Sequence, residues 1–507
     1  MVARSVGLEP VALPLARSPA RAQALLAITV ALTALRFGLA AWLPLSFDEA
    51  YFWTWSKHLA IAYYDHPPMI ALAIKLGTLL FGDTEFGVRF VSLAASGAAS
   101  WAVWRTTAIV LKDEGAGAVA CALFNATLMV AAETMAATPD ALVMSASALL
   151  LLSVAKLEET GDGRWWMAAG AAIAFALESK YTGFFLGMSA AAWLAMTPQG
   201  RVWLLTPWPY AAAAIALCAL VPTVVWNAAH DWISFRFQFG RVVTGGFRPG
   251  YLLEFVGGQI ALASPFILVL GGVGLLRASA RSALAGPLAF AAMLVWPALV
   301  YFCIHALHDR VQGNWPSFIY PALAVLAAFA LRRGNAEGTA VRWRRFCDAT
   351  ALAGALPILL FAYGQAFFGL VPLGKSDPIA RMTAVGIQPV AHDISDLAEK
   401  EHAAAIVTTK YVVTGWLKFY LPTQIPIVQI DHDDRYLAAP STDARLLDRP
   451  MLYVTQHPDK ELAAVARHFS AIRPLVALTR ESRGKAVDRF FVYALGGFHG
   501  EPAGRMP

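Results

Sequence analysis

The segment Phe47–Met69, FDEAYFWTWSKHLAIAYYDHPPM, concentrates residue types that can move a proton or hold an anion. It opens on an acidic pair, Asp48-Glu49, runs through Tyr51, Phe52, Trp53, Trp55, Tyr63 and Tyr64, and closes on Asp65-His66-Pro67-Pro68. A fixed carboxylate can take a proton in a transition state, and a histidine can hydrogen-bond an anion. The segment follows an apolar run, Leu25–Leu45, so it emerges at a membrane face. Carboxylates there are unfavourable unless solvated, paired or used. The same residues also fit a plainer part: an interfacial loop with a helix cap at Asp48, aromatics at the polar–apolar boundary and a turn at Pro67-Pro68.

Other candidates lie far along the chain. Asp140, in Thr138-Pro139-Asp140, suits chemistry or the positive end of a helix dipole. Lys180, in Glu178-Ser179-Lys180-Tyr181, can stabilise a developing anion or simply reach lipid headgroups. The loop from Trp226 to Tyr251 carries His230, Asp231, Arg236, Arg241 and Arg248, a composition suited to a lid that meets phosphate, an acidic sugar or headgroups. The loop 306–314 adds His308, Asp309, Arg310 and Asn314. His305, His308 and Asp309 are weakly spaced for a metal, and Asp431-His432-Asp433-Asp434 reads as a solvated turn, so no metal is expected. The GGVG at Gly271–Gly274 sits inside an apolar run and marks no nucleotide site.

Positioning these residues is the task of a largely apolar chain. Of 507 residues, 58% are hydrophobic and 15% charged, which describes a polytopic α-helical membrane protein. Apolar runs near 22–44, 86–111, 115–136, 139–156, 165–178, 181–197, 202–226, 252–276, 285–307, 315–331 and 347–369 predict about eleven transmembrane helices. A shorter run, 67–82, is interrupted by Lys75 and suits an interfacial or re-entrant helix. Lys112, Lys156, Arg164, Arg201, Arg277, Arg281, Arg332, Arg333, Arg342, Arg344 and Arg345 share one set of loops; by the positive-inside rule that set is cytoplasmic, and every candidate above lies opposite. The net charge of +6 follows from this bias, and no basic-aromatic pattern suggests nucleic acid. Cys121, Cys218, Cys303 and Cys347 show no metal or disulfide spacing. The expected division is a cytoplasmic tail (1–21), a membrane domain (22–371) and a soluble α/β domain (372–507). Strands are expected in that last part at 405–408, 425–430, 451–455, 474–478 and 490–494, alternating with helices at 394–402, 411–420 and 460–469.

FDEAYFW…YYDHPP resembles the first external loop of the C-type superfamily of polyprenyl-phosphate-sugar-dependent glycosyltransferases, which includes protein O-mannosyltransferases and lipid A aminoarabinose transferases. The resemblance implies transfer of a sugar from a polyprenyl phosphate, with inversion, onto lipid A, core saccharide or another envelope glycan. It implies an inner-membrane enzyme with its site facing the periplasm and no cofactor. Asp48 would then act as general base with Glu49 and Asp140 assisting, and Lys180, His66, Arg248 and Arg310 would receive the donor phosphate. Tyr64, Asp65, His230, His308 and Asn314 would contact substrate. A protein O-mannosyltransferase is the alternative. A transporter of lipid-linked saccharide also fits the apolar layout, although transporters tend to place ionisable groups near mid-membrane.

Overall fold

The first helix, Pro19–Leu39, is apolar and nearly free of charge, and its 21 residues extend about 31 Å, enough for a bilayer's hydrocarbon core. It opens the computed structural model, which describes residues 19–243, 246–280, 286, 288–332, 339–499 and 504–507. Arg281 and Arg333 lie outside the described residues, as do the side chains of Arg241, Arg342, Arg344, Arg345 and Cys347.

Among the described residues, four further helices are long and apolar enough to cross a membrane: Glu85–Leu111, Pro139–Thr160, Trp208–Ala229 and Thr350–Phe368. Two more crossings are possible if each bent pair counts as one span. Glu114–Asn125 and Leu128–Thr134 meet at 70°, and Gly250–Ala263 and Pro265–Ala278 meet at 102°. The sharper bend has a local cause: Ser264 adopts a left-handed backbone (φ 69°) and Pro265 brings no N–H to continue the ladder. Five to seven of the expected eleven crossings thus meet the length and composition of a single span among the described residues. The difference lies in Met69–Phe81, Tyr181–Met196, Ala289–His305 and Ser317–Leu331, apolar helices too short to meet the same criterion. Close approach binds the helices together. A Cβ on Gly274 would stand 1.9 Å from the Leu326 carbonyl, so the GGVG run serves the packing of Pro265–Ala278 on Tyr320–Leu331.

The C-terminal part holds a five-stranded sheet, β1 (Ala405–Thr408), β2 (Ile427–Gln429), β3 (Met451–Thr455), β4 (Phe469–Ser482) and β5 (Lys485–Phe498). The order is β2-β1-β3-β5-β4, with β1 parallel to β2 and β3 and the remaining pairs antiparallel. The last two strands are fourteen residues each, far longer than 474–478 and 490–494. They form one hairpin because Arg483-Gly484, both at positive φ, make a two-residue turn whose twist matches the strands.

One apolar core joins this sheet to the membrane helices. It gathers Tyr51, Phe52, Trp53 and Trp55 from the Phe47–Lys57 helix with Val413, Trp416 and Leu417 from the Tyr411–Tyr420 helix and Ile406 and Leu452 from the sheet. Gly415 permits the approach, since a Cβ there would lie 3.0 Å from the Tyr51 backbone nitrogen.

Candidate active site

The Phe47–Lys57 helix starts with a capping box. The Ser46 hydroxyl accepts from the Glu49 N–H, and the Glu49 carboxylate accepts from the Ser46 N–H. Glu49 is buried, and both its oxygens accept from Arg89, at 2.6 Å from Nε and 2.8 Å from Nη2. The Ala137 N–H adds a fourth donor at 3.0 Å. Arg89 is buried too, and its remaining N–H groups go to the carbonyls of Ala40, Leu43 and Pro44. Glu49 is thus a clamp between the Phe47–Lys57 helix, the Glu85–Leu111 helix and the strand-like entry to Pro139. Its oxygens accept from Ser46, Arg89 and Ala137, an arrangement that suits orienting the helix start.

Asp48, one residue earlier, turns about 100° from Glu49 around the helix and meets different groups. The Tyr411 hydroxyl donates to its Oδ1 at 3.4 Å. Burial, then repulsion from Asp65 and Asp140, pushes its carboxyl up from 3.8 to about 7, against the lowering effects of Tyr411 and Lys180. A carboxyl poised there can hold or release a proton near neutral pH.

Two ion pairs flank it. On one side Lys180 Nζ stands 2.7 Å from each oxygen of the buried Asp140. Asn314 Nδ2 donates to the same carboxylate at 3.1 Å, and the Ser317 hydroxyl lies 3.4 Å away. Lys180 ends the Trp165–Ser179 helix and Asp140 begins the Pro139–Thr160 helix, capped by Thr138. The Thr138 hydroxyl also donates to Glu133 at 2.5 Å, which brings a further buried carboxylate beside the pair. On the other side Arg435 Nη1 donates to Asp65 Oδ2 at 2.6 Å. The guanidinium stacks over Tyr411 (4.7 Å), Tyr64 (5.2 Å), Phe237 (5.6 Å) and Tyr51 (5.7 Å). Burial opposes its charge, but Asp65, then Tyr51 and Tyr411, more than offset this and hold its pKa above the ordinary arginine value. The Ile233–Val243 helix closes this flank: Gln238 Nε2 donates to the Asp65 carbonyl at 2.6 Å, and Ser234 meets the Tyr181 hydroxyl at 2.6 Å.

The structure thus draws Asp48, Asp140, Lys180, Asn314, Asp65 and Tyr64 into one neighbourhood. His66 joins through its ring, edge-on to Phe52 at 5.9 Å. The remaining expected contacts are elsewhere. His230 stacks on Trp226 at 4.1 Å and bonds the Trp226 carbonyl, finishing its own helix. Arg310 pairs with Glu254 at 2.8 Å, both largely exposed, and Arg248 donates to Tyr251. His308 lies edge-on to Phe247. These four are engaged by near neighbours on the surface around the Gly250–Ala263 helix and the end of Trp208–Ala229, and none of these contacts reaches Asp48, Asp140 or Lys180. Sequence reasoning missed Arg435, Tyr411, Arg89 and Glu133. Arg435 stands in a short 3₁₀ turn, Asp433–Tyr436, whose acidic composition pointed to solvent. Among the described residues no group of three or more His, Cys, Asp or Glu side chains is placed to hold a metal.

A half-buried carboxyl between two ion pairs, at the junction of membrane helices and a sheet, is an arrangement suited to proton transfer, and the known proteins this chain is similar to are glycosyltransferases. The family described as dolichyl-phosphate-mannose-protein mannosyltransferase matches residues 65–226. A lipid A galacturonosyltransferase, RgtD of Rhizobium johnstonii, is 24% identical over 367 residues, covering 71% of this chain and 74% of its own. The crystal structure of ArnT from Cupriavidus metallidurans bound to undecaprenyl phosphate has the same fold, with a TM-score of 0.60 at 15% identity over 93% of this chain and 97% of that one. The archaeal oligosaccharyltransferase AglB from Archaeoglobus fulgidus is more distant, at a TM-score of 0.51 and 12% identity over 88% of this chain and 70% of its own.

Proposed function

We propose that this enzyme moves a sugar from a polyprenyl phosphate to lipid A or a related envelope glycan, with inversion, at the periplasmic face of the inner membrane. One observation carries the reading: a carboxyl poised at about 7 lies within electrostatic reach of both a lysine–aspartate pair and a second aspartate held by arginine. An acceptor hydroxyl attacks the anomeric carbon while the bond from that carbon to the phosphate oxygen breaks on the opposite face. The hydroxyl proton passes to Asp48, and the electron pair leaves with the phosphate. Lys180 has three N–H donors and Asp140 takes two, so one remains for a phosphate oxygen, where positive charge favours the departing anion more than the bound donor. His66 supplies a second contact to that anion.

The positive-inside bias supports a periplasmic site, with residues 22–371 as the membrane domain and 372–507 as an extracytoplasmic α/β domain that closes over it. The curated relative supports lipid A as acceptor, since its similarity spans 71% of the chain. A protein acceptor is the second reading, favoured by the description of the family matching 65–226. The test is transfer of labelled sugar from a polyprenyl-phosphate donor by purified Asp48→Asn and wild-type enzyme, with lipid A and an acceptor protein offered in parallel. Loss of transfer in D48N, with labelled lipid A in the wild type, is the expected result. Unchanged turnover in D48N would remove Asp48 from the role of base.

A further inference from the structure

Three cations approach the acids of this site, and beyond the single Lys180 N–H assigned to the phosphate, Arg435 has the donors and access to receive a second anion. Arg89 is fully enclosed and saturated by Glu49 and three carbonyls. Lys180, its side chain 9% exposed, faces both oxygens of Asp140. Arg435 meets Asp65 through one nitrogen at 2.6 Å, and its side chain is 20% exposed. A guanidinium presents five N–H groups in a planar fork that matches a carboxylate at two points, and its weakly hydrated faces stack on rings. Here Tyr411, Tyr64, Phe237 and Tyr51 provide those rings and fix the plane. Asp65 and Gln238 complete the mounting. The fork is held, oriented and only partly engaged. Through Tyr411, whose ring it covers and whose hydroxyl touches Asp48, it stands next to the reacting position.

We propose that Arg435 determines the donor sugar and that the sugar is a hexuronic acid, its carboxylate received by the Arg435 fork. The proposal rests on the glycosyl-transfer reading of the site and deepens it by naming the sugar class. Two anions of similar chemistry could reach this arginine, a sugar carboxylate or the donor's phosphate. Topology favours the carboxylate. The prenyl chain tethers the phosphate to the bilayer, and the cation at the end of an apolar helix is Lys180. Arg435 arrives from the other side, on the turn after β2 in the C-terminal sheet. A donor whose phosphate meets Lys180 extends its sugar toward Arg435, with the tyrosine rings flanking the pyranose. Galacturonic acid, named in the relative's activity, carries such a carboxylate.

The experiment compares two donors on one polyprenyl phosphate, galacturonosyl and galactosyl, identical except for the carboxylate. The readout is the ratio of kcat/KM for the acidic donor to that for the neutral one. The wild type should favour the acidic donor, and Arg435→Met should lower the ratio about 10- to 100-fold, the value of a charge-assisted pair. Because R435M leaves Asp65 without its arginine, the double variant D65N/R435M is measured alongside; both donors share the change at Asp65, so the ratio still reports the carboxylate. A ratio unchanged in both variants, with the two donors slowed alike, would assign Arg435 to phosphate or to structure and overturn the proposal. A wild type that prefers the neutral donor overturns it too while leaving glycosyl transfer intact. A wild type that uses neither donor overturns the proposal as well, and transfer from polyprenyl-phosphate donors of other sugar classes then decides the transfer reading separately.

Discussion

Replacing Asp48 by asparagine separates the catalytic demand at this position from its effect on stability. The carboxyl titrates at about 7 in the fold and at 3.8 when free of it, so its ionised form is less favourable in the folded protein by at most about 4 kcal/mol. The sign follows from proton binding. Between 3.8 and 7 the folded state holds a proton that the unfolded state has lost, so stability falls as pH rises across that window and levels off above it. At pH 5 the side chain is neutral, and asparagine resembles it. At pH 8 it is ionised, and asparagine relieves burial and the repulsion of Asp65 and Asp140. D48N should therefore melt like the wild type at pH 5 and higher than it at pH 8. Activity runs the other way. A general base must be ionised, so wild-type turnover should rise with pH to a plateau with its midpoint near 7, and D48N should lose about 10²- to 10⁴-fold at the plateau. Thermal melts and single-turnover transfer over pH 5–8 on both proteins decide the matter. A flat wild-type rate profile, or a melting shift equal at both pH values, would refute the reasoning.

Glu49→Gln strands Arg89 without its counter-charge, so it should destabilise the protein by about 3–5 kcal/mol, seen as a lower melting temperature and yield. In whatever E49Q protein folds, the rate midpoint should fall below the wild-type position, toward the ordinary carboxylate range, as Asp48 loses its fixed aim. Tyr411→Phe removes a donor that lowers the Asp48 pKa, so the rate midpoint should move above the wild-type position; a downward move would contradict the contact. Lys180→Ala should raise KM for donor more than for acceptor, and the reverse pattern would detach Lys180 from phosphate. Arg310→Gln breaks an exposed pair with Glu254 and a 5.6 Å contact with the Tyr251 ring, so stability should change by less than about 1 kcal/mol and turnover should hold, as a melt and a rate assay would record.

The residues legible in the sequence share one property: local context announced them. Asp48 follows a serine cap and an apolar run, and Asp140 follows Thr138-Pro139 at a helix start. Tyr411–Tyr420, β1 and β3 appear where their apolar periods place them. What escaped detection depends on partners across the chain. Asp65 and Arg435 are 370 residues apart, and Tyr411 reaches Asp48 across 363. Nothing in Asp-His-Asp-Asp-Arg marks its arginine as the one that turns inward; only the parallel placement of β2 beside β1 carries that turn to the membrane junction. Conversely, Arg248, Arg310, His230 and His308 looked chemical by type but found partners a few residues away or on an adjoining surface helix. Apolar runs also do not announce their breaks: bends at Ser264 and Thr127 and helices of 12–17 residues divide several of the runs read from sequence into shorter pieces.

The acidic pair shows why residue type alone could not settle roles. Adjacent positions on a helix point about 100° apart, so Asp48 and Glu49 cannot serve the same group. Glu49, with one methylene more, reaches back to cap the helix and sideways to Arg89, and this fixes the rotation of the Phe47–Lys57 helix about its axis. That rotation aims Asp48 at Tyr411. The clamp draws on the Glu85–Leu111 helix and the Ala137 N–H, while the target comes from the C-terminal sheet region, so Asp48 is set only where both halves of the chain close on one short helix. A carboxylate with less support would turn to water and titrate in the ordinary range. Held by its neighbour's saturated hydrogen bonds, Asp48 stays where burial and two flanking aspartates keep it poised.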